Sequence, residues 1–476
     1  MGQTDDTLTK KVDSYLQKSV ANGFSGAVLV ARNGTVILSE GYGFAQRENE
    51  ILVTSSTVFN IGSVTKQFTG AAILKIVDQG KLKTSDTIGT IFPAVPADKK
   101  DITIHQLLTH TAGISSNTGG FRYDHIGRDQ FLQEVFDAKL ATDPGTKHEY
   151  ANAGYILLAA IIEHVSGKSY ETFLYEELFE PAGMLDSGYT RPNWSAAQLA
   201  HGYYFSLPDA DWVDWGTTPD QWVGDEVSWY GIGKGDLHST VEDLYKWHQV
   251  LESDAVLPGH LRRLYETAFV AENSAETSYY GYGWSISDSE RNTKIVAHDG
   301  SNGLFFAHFI RFVEEDVVII LLSNVALGDE MGDAAWNIAR MVFYPKYQPV
   351  PMSQNSYALI YQFMKQKRYH QIDELAAFMQ QNGGREFHNK RILNQVGYQL
   401  LKTSQCNWSV ALFEINTQMF PTDGNLFDSL GEAAMQCGKS DKAEKNFRRA
   451  LELAPSDGCI WCANSRQNLL KLSNRN

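Results

Sequence analysis

The segment Phe59-Asn60-Ile61-Gly62-Ser63-Val64-Thr65-Lys66-Gln67-Phe68-Thr69-Gly70 sets a hydroxyl three residues ahead of an amine. Past Ser63, the apolar residues Phe68, Ala71, Ala72, Ile76 and Val77 predict a largely buried helix. On such a helix Ser63 lies near the first turn and Lys66 about one turn later on the same side. A serine hydroxyl is a weak nucleophile until a neighbouring base accepts its proton, and a lysine held near helix amides and other donors can serve once its pKa is lowered. The tetrad alone is weak evidence, because Ser-x-x-Lys arises by chance about once or twice in a chain this long, with the serine then simply capping a helix.

Further stretches accompany it in order. They are Ile102-Thr-Ile-His-Gln-Leu-Leu-Thr-His-Thr-Ala-Gly-Ile114, Pro144-Gly145, Tyr150-Ala151-Asn152-Ala153-Gly154-Tyr155, Gly235-Asp236-Leu237-His238-Ser239-Thr240 ahead of Asp243-Leu244, and His298-Asp299-Gly300. Across residues 8–343 their order and separations resemble the serine β-lactamase and penicillin-binding protein superfamily, especially the branch of class C β-lactamases, D-alanyl-D-alanine carboxypeptidases and related esterases. The resemblance implies that Ser63 is the acylated nucleophile and Lys66 its proton-handling partner. It makes Tyr150 the phenolate or hydrogen-bonding base that serves the leaving group and later water, and Asn152 the amide that fixes Lys66 and the substrate carbonyl. The backbone N–H groups of Ser63 and Ser301 would form an oxyanion hole, the second on an edge strand just after Gly300. With an unperturbed pKa of about 10, Tyr150 needs Lys66 or another cation to favour phenolate.

The third motif departs from the pattern. Class C β-lactamases commonly carry Lys-Thr-Gly, whereas this chain has His298-Asp299-Gly300. Lysine offers a permanent cation to a substrate carboxylate; an ordinary histidine is charged for only part of the population near neutrality, and Asp299 opposes an anion. His298 is therefore read as a partner of substrate or of Tyr150, and Gly300 as the residue that keeps the strand clear beside the substrate. These departures favour a D-amino-acid or D-alanyl peptidase or a carboxylesterase over a β-lactamase. An inactive hydrolase scaffold that binds a peptide or protein through its C-terminal region is the alternative of a different class. His105 and His110 are assigned to packing and turn hydrogen bonds, and Lys234 and Lys294 to the surface. The aromatic residues between Tyr203 and Tyr230 either line a subsite or pack a loop. The mechanism requires no cofactor, and no metal constellation is present.

The elements that must position these groups follow from periodicity. A helix over Leu8–Val20 leads to strands at Ser25–Ala31 and Thr35–Leu38, joined at Asn33-Gly34, a pair that tolerates positive φ and favours a hairpin. Helices are expected over 63–79, 128–139, 153–166 and 170–179, with 190–230 irregular. Strands return over 281–286, 294–298, 303–312 and 316–324, and a helix over 330–343 closes the domain. The predicted fold class is α/β: an antiparallel sheet contributed by both ends of the domain, flanked by helices, with a helical lobe inserted. This domain spans 1–345, a proline-bearing linker 346–356, and an all-α tail 357–476.

The tail repeats. Gly397 and Gly431, Phe413 and Phe447, and Pro421 and Pro455 are each 34 apart. Residues Phe427, Leu430, Gly431, Ala434, Ala443, Phe447, Ala450 and Pro455 follow the tetratricopeptide (TPR) pattern. A degenerate pair over 356–382 and a closing helix at Trp461 would supply the neighbours such units need.

The chain of 476 residues has a net charge of -15, which excludes a general nucleic-acid footprint. The charge divides as +4 for residues 351–476 and -19 for 1–350. No apolar run approaches the roughly 18 residues of a membrane span. The N-terminus shows no leader pattern, so the chain reads as cytoplasmic or as a mature exported form, and the resemblance favours export. Cys406, Cys437, Cys459 and Cys462 all lie in the tail. They are read as buried or half-buried structural thiols, with a local disulfide or a metal site as the lesser alternatives.

Overall fold

Asn33 and Gly34, at φ of 51° and 68°, turn strand β1 (Gly26–Arg32) back onto β2 (Thr35–Tyr42). This is residue 33–34 of a computed structural model that describes residues 5–115, 123–206, 211–224, 226–325, 330–382, 390–455, 459 and 461–473. Six further strands complete the sheet: β3 (Val270–Ala271), β4 (Tyr279–Tyr280), β5 (Ser285–Asp288), β6 (Lys294–Ser301), β7 (Phe306–Phe312) and β8 (Val317–Ser323). They are antiparallel in the order β2-β1-β8-β7-β6-β5-β4-β3. The β1–β8 pairing, Gly26 opposite Ser323 through Arg32 opposite Val317, joins the two ends of the domain as the sequence predicts.

Every residue of β8 is buried, which requires cover on both faces. One face, carrying Leu29, Val296, Phe309 and Ile320, packs with Phe68, Ala71 and Ala72 of helix α2 (Thr65–Asp78) into the main core. That core continues into α3 (Asn152–Ser166), whose residues Ala153 to Ile162 are all buried. Helices α1 (Asp5–Val20) and α4 (Glu330–Phe343) belong to the opposite face.

Two local expectations need correction. The stretch 190–230 is not wholly irregular: Gly202–Ser206 and Asp211–Gly216 pair as a two-stranded hairpin. Lys234 is not a surface cation but is 8% exposed, because the turns around it pack on α3.

The chain divides into two compact units, Met1–Tyr203 with Asp214–Pro351, and Met352–Asn476 with Tyr204–Val213. In the second unit α5 (Lys390–Lys402) and α7 (Gly424–Gln436) begin 34 residues apart, as do α6 (Cys406–Met419) and α8 (Ser440–Glu452). A Cβ on Gly397 would come within 2.6 Å of the Phe413 ring, and one on Gly431 within 2.7 Å of Phe447, so the same close helix contact recurs in both copies. Phe205, from the hairpin, packs into this unit's core beside Leu359 and Phe363. Of the aromatic residues between Tyr203 and Tyr230, Phe205 thus belongs to the second unit's packing.

The cysteines are disulfides rather than thiols: Cys406 with Cys437, and Cys459 with Cys462. Neighbouring antiparallel helices explain the first, since Cys406 starts α6 and Cys437 directly follows α7. Cross-linking residues 31 apart stabilises by about 3–4 kcal/mol in the chain-entropy account. A Cys406→Ala/Cys437→Ala variant should therefore show amide exchange in α6 and α7 faster by roughly two orders of magnitude, without change in β6–β8. Equal exchange in parent and variant would remove the disulfide from the unit's stability.

Candidate active site

Ser63 sits on a single 3-10 turn, Gly62–Val64, that runs directly into α2. Lys66 follows one turn on and is completely buried. Its Nζ lies 3.0 Å from Ser63 Oγ and donates to the Lys234 carbonyl at 2.8 Å. The amine is thus anchored from outside its own helix and aimed at the nucleophile. The 3.0 Å bond is the path a serine proton would follow when Oγ attacks.

Tyr150 and Asn152 lie at the start of α3. The Tyr150 ring lies against Lys66, 4.8 Å from ring centroid to Nζ. Its ring edge is open while its hydroxyl is enclosed. Burial pushes the phenol pKa well above its ordinary value, and the charges of Asp299 and Glu272 add to this, whereas the interaction with Ser63 works the other way. At neutral pH Tyr150 is accordingly a phenol, suited to donate and accept hydrogen bonds rather than to rest as phenolate. The Asn152 Oδ1 is buried and accepts no hydrogen bond from any of the described residues. Lys66 donates to the Lys234 carbonyl and not to Asn152 Oδ1, where the expectation had Asn152 fixing it.

His110, assigned from the sequence to packing and turn hydrogen bonds, has that role here, directed at the segment that carries Tyr150. At φ of 55° it leaves its helix in the left-handed region, and its ring packs on Tyr150 with centroids 4.2 Å apart. Its Nδ1 accepts the Ala151 N–H at 3.1 Å. His110 thereby holds both the ring and the backbone of the segment that carries Tyr150 and Asn152.

The opposite wall is β6. It pairs with β5 only from Lys294 to Ala297, so His298 to Ser301 form an open edge bonded on one side to β7. This edge meets the Ser63 turn at backbone distance. A Cβ on Gly300 would fall 2.5 Å from Ser63 N and 2.3 Å from Ile61 O, and one on Gly62, which has φ of 50°, 2.6 Å from Ser301 N. Two glycines are needed for the Ser63 and Ser301 amides to converge, the arrangement that an oxyanion hole requires.

His298 is 5% exposed, and both of its nitrogens are taken within the protein. Nδ1 donates to the Asp299 carbonyl at 2.6 Å, so Nε2 accepts the Tyr280 hydroxyl at 3.0 Å. His298 faces Tyr150, with ring centroids 6.3 Å apart, but is not its hydrogen-bonding partner. Burial lowers its pKa, as it does for His110, His238, His248 and His308. Folded-state values below the unfolded value of about 6.5 mean that the unfolded chain binds the extra protons. This stabilisation is complete above that pH and is lost as pH falls through the folded values, about 4 for His238. The urea midpoint should therefore fall between pH 7.5 and pH 5, and turnover should show no inflection near 6.5 from His298. A midpoint that holds or rises over that range would show that these rings are charged in the fold.

Comparison with known proteins agrees with this geometry. Residues 12–342 match the family model described as Beta-lactamase. The chain is 28% identical over 343 residues to penicillin-binding protein 4* of Bacillus subtilis strain 168, covering 69% of this chain and 74% of that protein. Its fold is similar to that of the octameric penicillin-binding protein homologue from Pyrococcus abyssi, with a TM-score of 0.61 at 24% identity over 75% of this chain and 81% of that one. It is also similar to the D-amino acid amidase from Ochrobactrum anthropi SV3, with a TM-score of 0.59 at 21% identity over 70% of this chain and 99% of that one. The family match covers well over half of the chain and contains Ser63, Lys66, Tyr150, Asn152 and the β6 edge: this chain belongs to the beta-lactamase family.

Proposed function

We propose that the protein is a serine hydrolase that forms an acyl-enzyme on Ser63 and acts on D-amino-acid or D-alanyl amides, or on carboxylic esters. The observation that carries this reading is the 3.0 Å bond from a fully buried Lys66 to Ser63 Oγ, beside an open strand edge with two convergent amides. Ser63 Oγ attacks the carbonyl carbon as its proton passes to Lys66, which enters the step as the neutral amine, and the oxyanion is received by the Ser63 and Ser301 N–H groups. The leaving amine or alkoxide takes a proton through Tyr150, and water then reverses the sequence to free the acid. The amidase neighbour and the penicillin-binding relative support an amide or ester substrate.

The wall at His298 argues against a substrate chosen by its carboxylate. A ring that burial keeps neutral stands where a permanent cation would. β-Lactam hydrolysis is accordingly the lesser reading. A panel of a D-amino-acid amide, a D-alanyl-D-alanine peptide, short-chain esters and a β-lactam decides among these, with Ser63→Ala as control. Turnover of the amide or ester, abolished in Ser63→Ala, is the expected result; rapid β-lactam turnover alone would reverse the ranking. Absence of any turnover and of a mass adduct with a fluorophosphonate would leave the scaffold reading. The second unit fits a peptide- or protein-binding role, and two disulfides suit an oxidising compartment.

A further inference from the structure

Register fixes which face of the sheet serves Ser63. Gly300 faces the nucleophile, so its neighbour Asp299 projects to the other face, together with His308, its direct partner on β7. Ser285 and Ser287 share that far face, since they stand opposite Ala297 and Ile295. Against it α4 brings Asp333 and Trp336, three residues apart on one side of the helix. The space between is a cavity of about 440 Å³; His298 also lines it, whereas neither Ser63, Lys66, Tyr150 nor Asn152 does.

Its size lies in the range of small-molecule pockets, and its lining is chemically one-sided. Two acidic residues, Asp299 and Asp333, and three serines line it, with no lysine or arginine; the Ser278 and Ser285 hydroxyls donate to Glu272. His308 is 7% exposed, and its Nδ1 has no hydrogen-bond partner among the described residues. Such a buried polar atom is costly unless something satisfies it. Trp336 packs edge-on against His308, with centroids 5.7 Å apart, and closes one side with an aromatic wall. Burial keeps the imidazole neutral, so the site carries only negative formal charge and repels anions.

A cation is therefore expected, and its form can be narrowed. A metal ion needs its ligand atoms gathered within a few ångströms, and among the described residues only Glu48, His201 and Asp214 are so gathered, at another place. Asp299, His308 and Asp333 are spread around a larger space, which suits an elongated ligand. An alkylammonium group suits this lining: carboxylates for the charge, serine oxygens for its N–H groups, and an indole for its chain and its charge.

We infer that this cavity is a second, non-catalytic site that binds a small organic amine in its ammonium form, between Asp299 and Asp333 and along Trp336. Titration calorimetry of the full chain tests it, with 1,5-diaminopentane and n-pentylamine as probes and n-pentanol as the uncharged control. Both amines should bind saturably at one site per chain, and pentanol should not. Asp333→Asn, at an exposed position that the fold does not depend on, and Trp336→Phe should each weaken binding, the first at least tenfold. Ser63→Ala should leave binding unchanged, which separates this site from the catalytic one. Absence of saturable binding below about 10 mM, equal affinity in Asp333→Asn, or loss of binding in Ser63→Ala would each overturn the inference.

Discussion

Replacing Lys66 with methionine should slow acylation of Ser63 by about two to four orders of magnitude, the range general-base assistance supplies, while the unfolding temperature stays close to that of the parent. Lys66 is fully buried and makes its two named hydrogen bonds to Ser63 Oγ and the Lys234 carbonyl. Methionine has nearly the same length and fills the same channel, so no large cavity forms. Two opposing terms then act on stability. Removing a buried amine relieves its desolvation, whereas the Lys234 carbonyl loses its donor, a cost of about 1–3 kcal/mol. Near-cancellation with a collapse in rate identifies a group held for chemistry. The rate at which a fluorophosphonate adds its mass to the protein is the direct readout. Tyr150→Phe is the informative companion, because it keeps the ring over Nζ and against His110 but removes the hydroxyl. Were Lys66→Met to acylate at the parental rate and Tyr150→Phe to fail, the proton acceptor would be Tyr150.

The parts of this site that could be read in the sequence are those written in side chains at short spacing. Ser63 and Lys66 are one helical turn apart, and Asn33-Gly34 sits between two apolar runs, so local rules suffice. Glycine at 300 was legible as a steric requirement, although its partners, Ile61 O and Ser63 N, were not. The atom that anchors Lys66 is a main-chain carbonyl 168 residues away, which any residue type could supply, and nothing in the letters marks it. His110 carries a stronger signal, a histidine between two threonines ahead of Ala-Gly, but its value depends on a left-handed backbone that aims the ring at Tyr150. His298 stands beside Tyr150 without a hydrogen bond to it, because the Tyr280 hydroxyl that occupies its Nε2 arrives from a different strand. The disulfide between Cys406 and Cys437 was recoverable in principle. The 34-residue repeat sets α6 against α7 in antiparallel sense, which brings the start of one beside the end of the other.

Gly300→Ala should reduce kcat by about a hundred- to a thousandfold, the scale associated with loss of an oxyanion-hole donor. The added methyl would meet Ile61 O at 2.3 Å and Ser63 N at 2.5 Å. Both are backbone atoms, fixed by the turn that starts α2, so no side-chain rotation can relieve the clash. The alternative is for β6 to withdraw, and from His298 to Ser301 its one strand partner among the described residues is β7. Withdrawal carries the Ser301 N–H away from the Ser63 N–H and opens the two-donor arrangement. The strand keeps its β7 partner, so the global fold should survive with circular dichroism unchanged. Ser301→Ala makes the contrast, because the proposed role of Ser301 uses only its backbone amide. Its Oγ accepts the Gly303 N–H at 3.0 Å on an exposed turn, and its removal should change kcat by less than about threefold. Turnover of a common ester by the two variants measures the difference. A large loss in Ser301→Ala with near-parental Gly300→Ala would mean that the hydroxyl, not the converging amides, meets the substrate.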